Sequence, residues 1–183
     1  NAELVGHWKF NDGVDSAGNF NDLDLYGGAA FVDGKLDLSA GGLQWANTTW
    51  SNTSDNGRIE DKTLISWVEL TNIYTATGSA LTIDSQTNDN FNGLIWSENY
   101  YNEWYVGSSN GVNNARNGAY GSESRLVQIA ATFDVQGNGV IINFYMDGIK
   151  LNEYYAAPVL TWDRQDAEII FGARHTQGSS SPI

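Results

Sequence analysis

The chain has 183 residues, with 22 acidic against 9 basic side chains and a formal net charge of -13. That surplus of negative charge repels phosphate backbones and anionic membrane surfaces, so nucleic acid is excluded as a partner. With no cysteine there is no disulfide framework, thiolate metal site or thiol nucleophile, and with no apolar run near the ~20 residues of a membrane span, no membrane insertion is expected. The opening Asn1-Ala2-Glu3 lacks a basic region followed by an apolar stretch, so the sequence is expected to be that of an exported chain whose signal has been removed.

Twenty glycines, two prolines and 13% aromatic residues favour many short strands joined by tight turns, because Gly and Asn tolerate the positive φ that hairpins need. No stretch carries a sustained helical period, and one all-β domain over 1–183 is expected. Leu4 to Asn11 alternates and predicts a strand with Leu4, Gly6, Trp8 and Phe10 facing inward. A polar turn segment, Asp12 to Asp22, precedes short strands at Leu23 to Tyr26, Ala30 to Val32 and Lys35 to Leu38, punctuated by Gly27-Gly28 and Asp33-Gly34.

Leu43 to Trp45 extends the pattern before a polar loop, Asn47 to Lys62. Thr63 to Leu70 is apolar on both faces apart from Ser66 and Glu69, which predicts a central strand covered on both sides. Further strands are predicted at Ala80 to Asp84, Gly93 to Ser97, Glu103 to Val106, Arg125 to Phe133 and Gly139 to Met146. Asp147-Gly148 then turns the chain into Ile149 to Tyr154, and Ala167 to Ala173 is the last predicted strand.

The segments LVGHWKFNDG (Leu4 to Gly13), DSAGNFND (Asp15 to Asp22), DGKLDLS (Asp33 to Ser39), TLISWVELTN (Thr63 to Asn72), VQIAATFD (Val127 to Asp134), FYMDGIKL (Phe144 to Leu151) and IIFGAR (Ile169 to Arg174) follow one another in an order that resembles the laminin-G-like, concanavalin A-like lectin/glucanase domains. The resemblance implies a jelly-roll sandwich of two antiparallel sheets, found in secreted or cell-surface carbohydrate-binding and adhesion proteins, often with calcium. It also implies a closing strand after Ile169 to Arg174, where this sequence has only a Gly/Ser-rich stretch, Gln177 to Ile183. An unpaired edge invites a partner strand, so truncation or self-association through that edge is expected.

Catalysis requires converging groups. The Glu-x-Asp-x-Glu strand of the related glucanases, which aims carboxylates at one cleft, is absent. Asp22 with Asp24 and Asp166 with Glu168 have the spacing of acids on one strand face, and solvated charges account for both pairs. Gly107 to Gly111 matches G-x-S-x-G, and Ser109, Asp134 and His175 stand in a triad order, but no helix follows to complete a nucleophile elbow. His7 and His175 read as surface histidines.

Calcium is a candidate cofactor at Asp12, Asp15, Asn19 and Asp22, with Asn21 beside them, because hard oxygen donors gather there. Asx turns explain the same residues without an ion. Asn88 to Gly93 imitates half of an EF-hand loop but lacks the acid at its twelfth position. Sugar binding has the stronger signal, since pyranose C–H faces pack on flat rings and hydroxyls need amide, carboxylate or guanidinium partners. Trp96, Tyr100, Tyr101, Trp104 and Tyr105 gather on a hairpin with Glu98, Asn99, Asn102 and Glu103 between them; Trp162, with Asn113, Asn114 and Arg116, completes a rim. Trp50 lies in a polar context too, and Asn47 and Asn52 head glycosylation triplets.

The sequence therefore predicts a secreted, non-catalytic β-sandwich that binds a polysaccharide or glycan through an aromatic platform and amide rim. Two alternatives stand beside it, a structural or protein-protein interaction module and a glycoside hydrolase or polysaccharide lyase.

Overall fold

Among the described residues, the alternation of apolar and polar residues is realised as fifteen strands in a computed structural model. It describes residues 3–98, 101–109, 115–120 (backbone only) and 125–175. In chain order they are β1 (Asp24–Tyr26), β2 (Ala30–Val32), β3 (Lys35–Asp37), β4 (Trp45–Thr49), β5 (Arg58–Ile59), β6 (Lys62–Glu69), β7 (Gly78–Ser85), β8 (Phe91–Trp96), β9 (Glu103–Ser108), β10 (Ala115–Tyr120), β11 (Leu126–Gln136), β12 (Gly139–Met146), β13 (Ile149–Ala156), β14 (Trp162–Asp163) and β15 (Ala167–Phe171).

Two antiparallel sheets form the sandwich. One has seven strands in the order β1-β4-β15-β7-β8-β9-β10, the other four in the order β13-β12-β11-β6. Between them lies a core in which Leu81, Ile83, Leu94, Trp96, Trp104 and Val106 of the larger sheet meet Leu64, Val127, Ile129, Ala131, Phe133, Ile142 and Phe144 of the smaller. Because side chains alternate along each strand, burying these residues turns Asp84, Phe91, Ile95, Tyr105 and Glu168 to the opposite, outer face of the larger sheet.

Several turns form where the dipeptides placed them. Asp33-Gly34 and Asp147-Gly148 both hold positive φ at each residue, the twist that suits a two-residue hairpin. Two expectations are corrected. Leu4 to Asn11 is not a strand. Its stretch is held by a single bridge, Trp8 to Asp15, while Trp8 and Phe10 still pack on the core through Phe171. Thr63 to Leu70 is not a covered central strand either. Its equivalent, β6, ends the four-stranded sheet, pairing only with β11 among the described strands, and Ile65 and Trp67 stand exposed on its outer face. β4 runs from the predicted Leu43 to Trp45 segment into the stretch that read as a polar loop, β5 lies wholly within that stretch, β10 arises where no strand was predicted, and β15 lies in mid-sheet between β4 and β7. Gln177 to Ile183 lies outside the described residues.

Candidate functional site

The hairpin β8–β9 carries the predicted aromatic platform. Trp96 and Trp104 are direct cross-strand partners whose rings lie 5.2 Å apart. Their side of the hairpin faces between the sheets, which leaves them 2% and 1% exposed. Both belong to the core and not to a binding surface, as does Trp162, 1% exposed, whose indole N–H donates to the Asn90 carbonyl at 3.1 Å. Trp50 is likewise buried, packed edge-on against Phe20.

Among the described residues of the predicted platform, Tyr101 is the ring that stays wet. Ser97 and Asn102 take positive φ and close the loop, the Ser97 amide donating to the Glu103 carbonyl and the Asn102 amide to the Ser97 hydroxyl. Tyr101 stands at its tip, 70% exposed. Tyr100, Asn99, Asn113 and Asn114 lie outside the described residues; Arg116 is described in its backbone only, on β10 opposite Tyr105.

Below this tip an ionic network lies on the outer face of the larger sheet. The Glu98 carboxylate takes an ion pair from Arg174 at 2.6 Å and a hydrogen bond from the Tyr105 hydroxyl at 3.3 Å. Arg174 holds its guanidinium over the Phe91 ring, 5.5 Å from the centroid. His175 meets the same ring edge-on at 4.5 Å and sets its Nδ1 3.0 Å from Asp84 Oδ2. Burial pushes the Asp84 carboxyl above its ordinary range, opposed by the bond from His175. Glu168 is the direct cross-strand neighbour of Asp84 and accepts a hydrogen bond from the Asn47 amide. Gly172 makes this arrangement accessible to the chain: at φ +91 it turns the segment after β15 so that Ala173, Arg174 and His175 follow the outer face.

His175 is therefore a buried member of this network and not a surface histidine. Nor does it join a triad. Ser109 donates its hydroxyl to the Asp89 carbonyl and accepts from the Phe91 amide, while Asp134 is exposed on β11 in the other sheet. The acid pairs also separate. Asp166 precedes β15 in a helical turn, where it accepts from Ser85, whereas Glu168 lies within the strand; Asp22 lies before β1 and Asp24 in it.

The oxygen-rich loop proves to be a turn fastened to itself. Asp15 is 4% exposed, and its carboxylate accepts backbone N–H bonds from His7, Ala17, Asn19 and Phe20 at 2.7–3.1 Å. Asp12 accepts from the Val14 amide, and the Asn19 side chain donates to the Val5 carbonyl. Those bonds engage the Asp15 carboxylate with backbone amides. Among the described residues no three His, Cys, Asp or Glu side chains converge as a metal site.

Tyr105 was read as part of the aromatic cluster, whereas Asp84, Phe91 and Arg174 were not legible as site residues. Asp84 closed a predicted strand, Phe91 preceded one and Arg174 followed one, and nothing in a sequence tells which sheet face receives a crossing segment.

No protein-family model matches the chain, and no curated sequence matches it. Among solved structures, it is similar to domain 4 of AbnA, a GH43 extracellular arabinanase from Geobacillus stearothermophilus solved with arabinotriose, at 17% identity and a TM-score of 0.62, covering 96% of this chain and 86% of that one. A native heptameric SAP-like pentraxin from Limulus polyphemus aligns over 69% of this chain and 58% of its own, at 8% identity and a TM-score of 0.49. The carbohydrate-binding module CBM66 from Bacillus subtilis aligns over 69% of this chain and 78% of its own, at 10% identity and a TM-score of 0.41. The fold is an antiparallel β-sandwich of the jelly-roll kind.

Proposed function

We propose that this chain is a non-catalytic carbohydrate-binding module of a secreted or cell-surface protein. Its glycan stacks on Tyr101 and is hydrogen-bonded at the rim by the Glu98–Arg174 pair. The observation that carries the reading is the exposed Tyr101 ring three residues from a carboxylate already clamped by a guanidinium. A sugar ring buries its C–H face on such a platform, and a pre-oriented ion pair offers an acceptor and donors without paying again to order them. The likeness to an arabinanase domain solved with arabinotriose supports the reading at the level of fold.

Affinity electrophoresis through gels containing arabinan and other plant and algal polysaccharides is the test. At least one polymer should retard the protein, and Tyr101→Ala should weaken that retardation about tenfold, the worth of one stacked ring. The variant should melt with the parent, since the side chain touches no core. Silence across the panel, or undiminished retardation of the variant, removes the reading.

A second reading, protein-protein adhesion, is favoured by one observation. Trp67, 60% exposed, stands with Ile65 on the open face of the four-stranded sheet. Trp67→Ser would then abolish partner or self-association and leave polysaccharide retardation intact.

A further inference from the structure

Two Asn-x-Ser/Thr triplets, Asn47-Thr48-Thr49 and Asn52-Thr53-Ser54, play no part in the carbohydrate site, and the fold treats them in opposite ways. Asn47 lies within β4, which pairs with β1 on one side and β15 on the other. Its Nδ2 donates to the buried Glu168 carboxylate, Thr48 is buried and donates to the Asn21 carbonyl, and the Thr49 hydroxyl accepts from the Asn21 side-chain amide at 3.3 Å. Asn52 stands in the loop after β4, where Ser51, Asn52, Thr53 and Ser54 are all exposed. Its Oδ1 accepts from the Ser54 amide at 3.1 Å and from the Ser54 hydroxyl at 2.9 Å, and its carbonyl accepts from the Asp55 amide at 3.1 Å. The third residue of the triplet is thus folded back onto the first, and both side-chain bonds fall on Oδ1, so the turn makes no use of Nδ2.

We infer that Asn52 is an N-glycan acceptor of this chain and that Asn47 is not. The inference rests on the export part of the reading above, since the transfer is made on the secretory route, and not on carbohydrate binding. The modification joins Asn52 Nδ2 to the anomeric carbon of an oligosaccharide supplied on a lipid diphosphate. The N–C bond forms, the bond from that carbon to the phosphate oxygen breaks, the lipid diphosphate leaves with the electron pair, and Nδ2 gives up one proton. A glycan on Asn52 projects from an exposed loop without displacing any described strand, whereas one on Asn47 must break the bond to Glu168 on the face of the larger sheet. The accepting loop also lies at the other end of the sandwich from the lip. Asp55 and Gly57 fasten it to Arg164 and Gln165, and Asp166 is bonded to Ser85 and Gln86 where β7 ends, while Tyr101 follows the far end of β8. The six residues of β8 span ~20 Å, so a glycan at Asn52 leaves Tyr101 open.

The experiment secretes the full chain from yeast behind a host signal peptide and reads intact mass and peptide maps before and after enzymatic release of N-glycans. A single oligosaccharide should be found, on Asn52. It should be lost in Asn52→Gln and in Ser54→Ala, retained in Ser54→Thr, and unchanged in Thr49→Ala, which destroys the other triplet. The glycosylated and released forms should be retarded alike by a polysaccharide gel. Secreted protein with no glycan on Asn52, or with one on Asn47, overturns the inference and leaves carbohydrate binding at Tyr101 standing. Unequal retardation of the two forms overturns the placement of the glycan away from the lip. Retardation of neither form, with Asn52 occupied, removes the carbohydrate reading and leaves the acceptor site in place, and a chain that is not exported removes the export reading and the inference with it.

Discussion

Asp15 illustrates how one side chain can serve a fold where its residue type suggests chemistry. A buried carboxylate that accepts N–H groups from His7, Ala17, Asn19 and Phe20 organises the turn leading into the seven-stranded sheet. Charge-assisted bonds of this kind are the strong ones, and removing their acceptor strands several buried donors at once. Asp15→Ala should therefore lower stability by about 2–4 kcal/mol in denaturant titrations, whereas Asp12→Ala, which loses a single exposed bond to Val14, should cost well under half as much. Equal effects would show that the turn is not built on Asp15. The same residues read from the sequence as a calcium set because oxygen donors look alike whether they face an ion or an amide. Only the direction of the backbone N–H groups distinguishes the two.

At the scale of elements, strand positions were largely legible and face assignments only in part. β2 and β12 fall where alternation and turn chemistry put them. The hairpin β8–β9 was placed correctly too, but its period of two cannot say which alternate set faces between the sheets when both Trp96/Trp104 and Ile95/Tyr105 are apolar and both are buried. β6 misled for the same reason: Ile65 and Trp67 made both faces apolar, and the sheet ended there. Gly172 is the element-level hinge of the site. Its φ of +91 suits glycine, and an added Cβ would lie 2.5 Å from the Gln44 carbonyl oxygen. Gly172→Ala should consequently destabilise the protein by at least about 2 kcal/mol and dislodge Arg174 and His175 from the outer face. A parent-like melting temperature together with parent-like glycan retention would refute that role.

For the molecule as a whole, Lys62 couples the two ends of the packing. It begins β6, and its ammonium lies 4.4 Å from the Phe133 ring centroid of β11 and 4.5 Å from that of Trp162 in β14. Loss of hydration on burial lowers its pKa from 10.5 to about 7, against the pull of Asp61. Between about pH 7 and 10.5 the unfolded chain thus binds more protons than the folded one, so stability contributed by this group rises with pH across that window and the cost is complete below it. Lys62→Met should raise stability at pH 6 by about 1–3 kcal/mol and flatten the pH dependence above neutrality. A variant less stable than the parent at pH 6 would mean that the ring faces and the Glu60 and Leu160 carbonyls outweigh desolvation. None of this was visible in the sequence, where Lys62 simply closed a polar loop.

The interior placement of the indoles governs which optical signals the protein can give. Trp50, Trp96, Trp104 and Trp162 are sealed in the interior while Trp67 is largely exposed on the face of the other sheet. Emission from the sealed four should be short in wavelength and indifferent to a sugar resting on Tyr101, so a fluorescence titration against glycan would stay flat even at saturation. The same emission, shifting red as the sandwich opens, makes a sensitive gauge of unfolding, and a quencher in solution would reach Trp67 first, the half-buried Trp8 and Trp45 less, and the sealed four least.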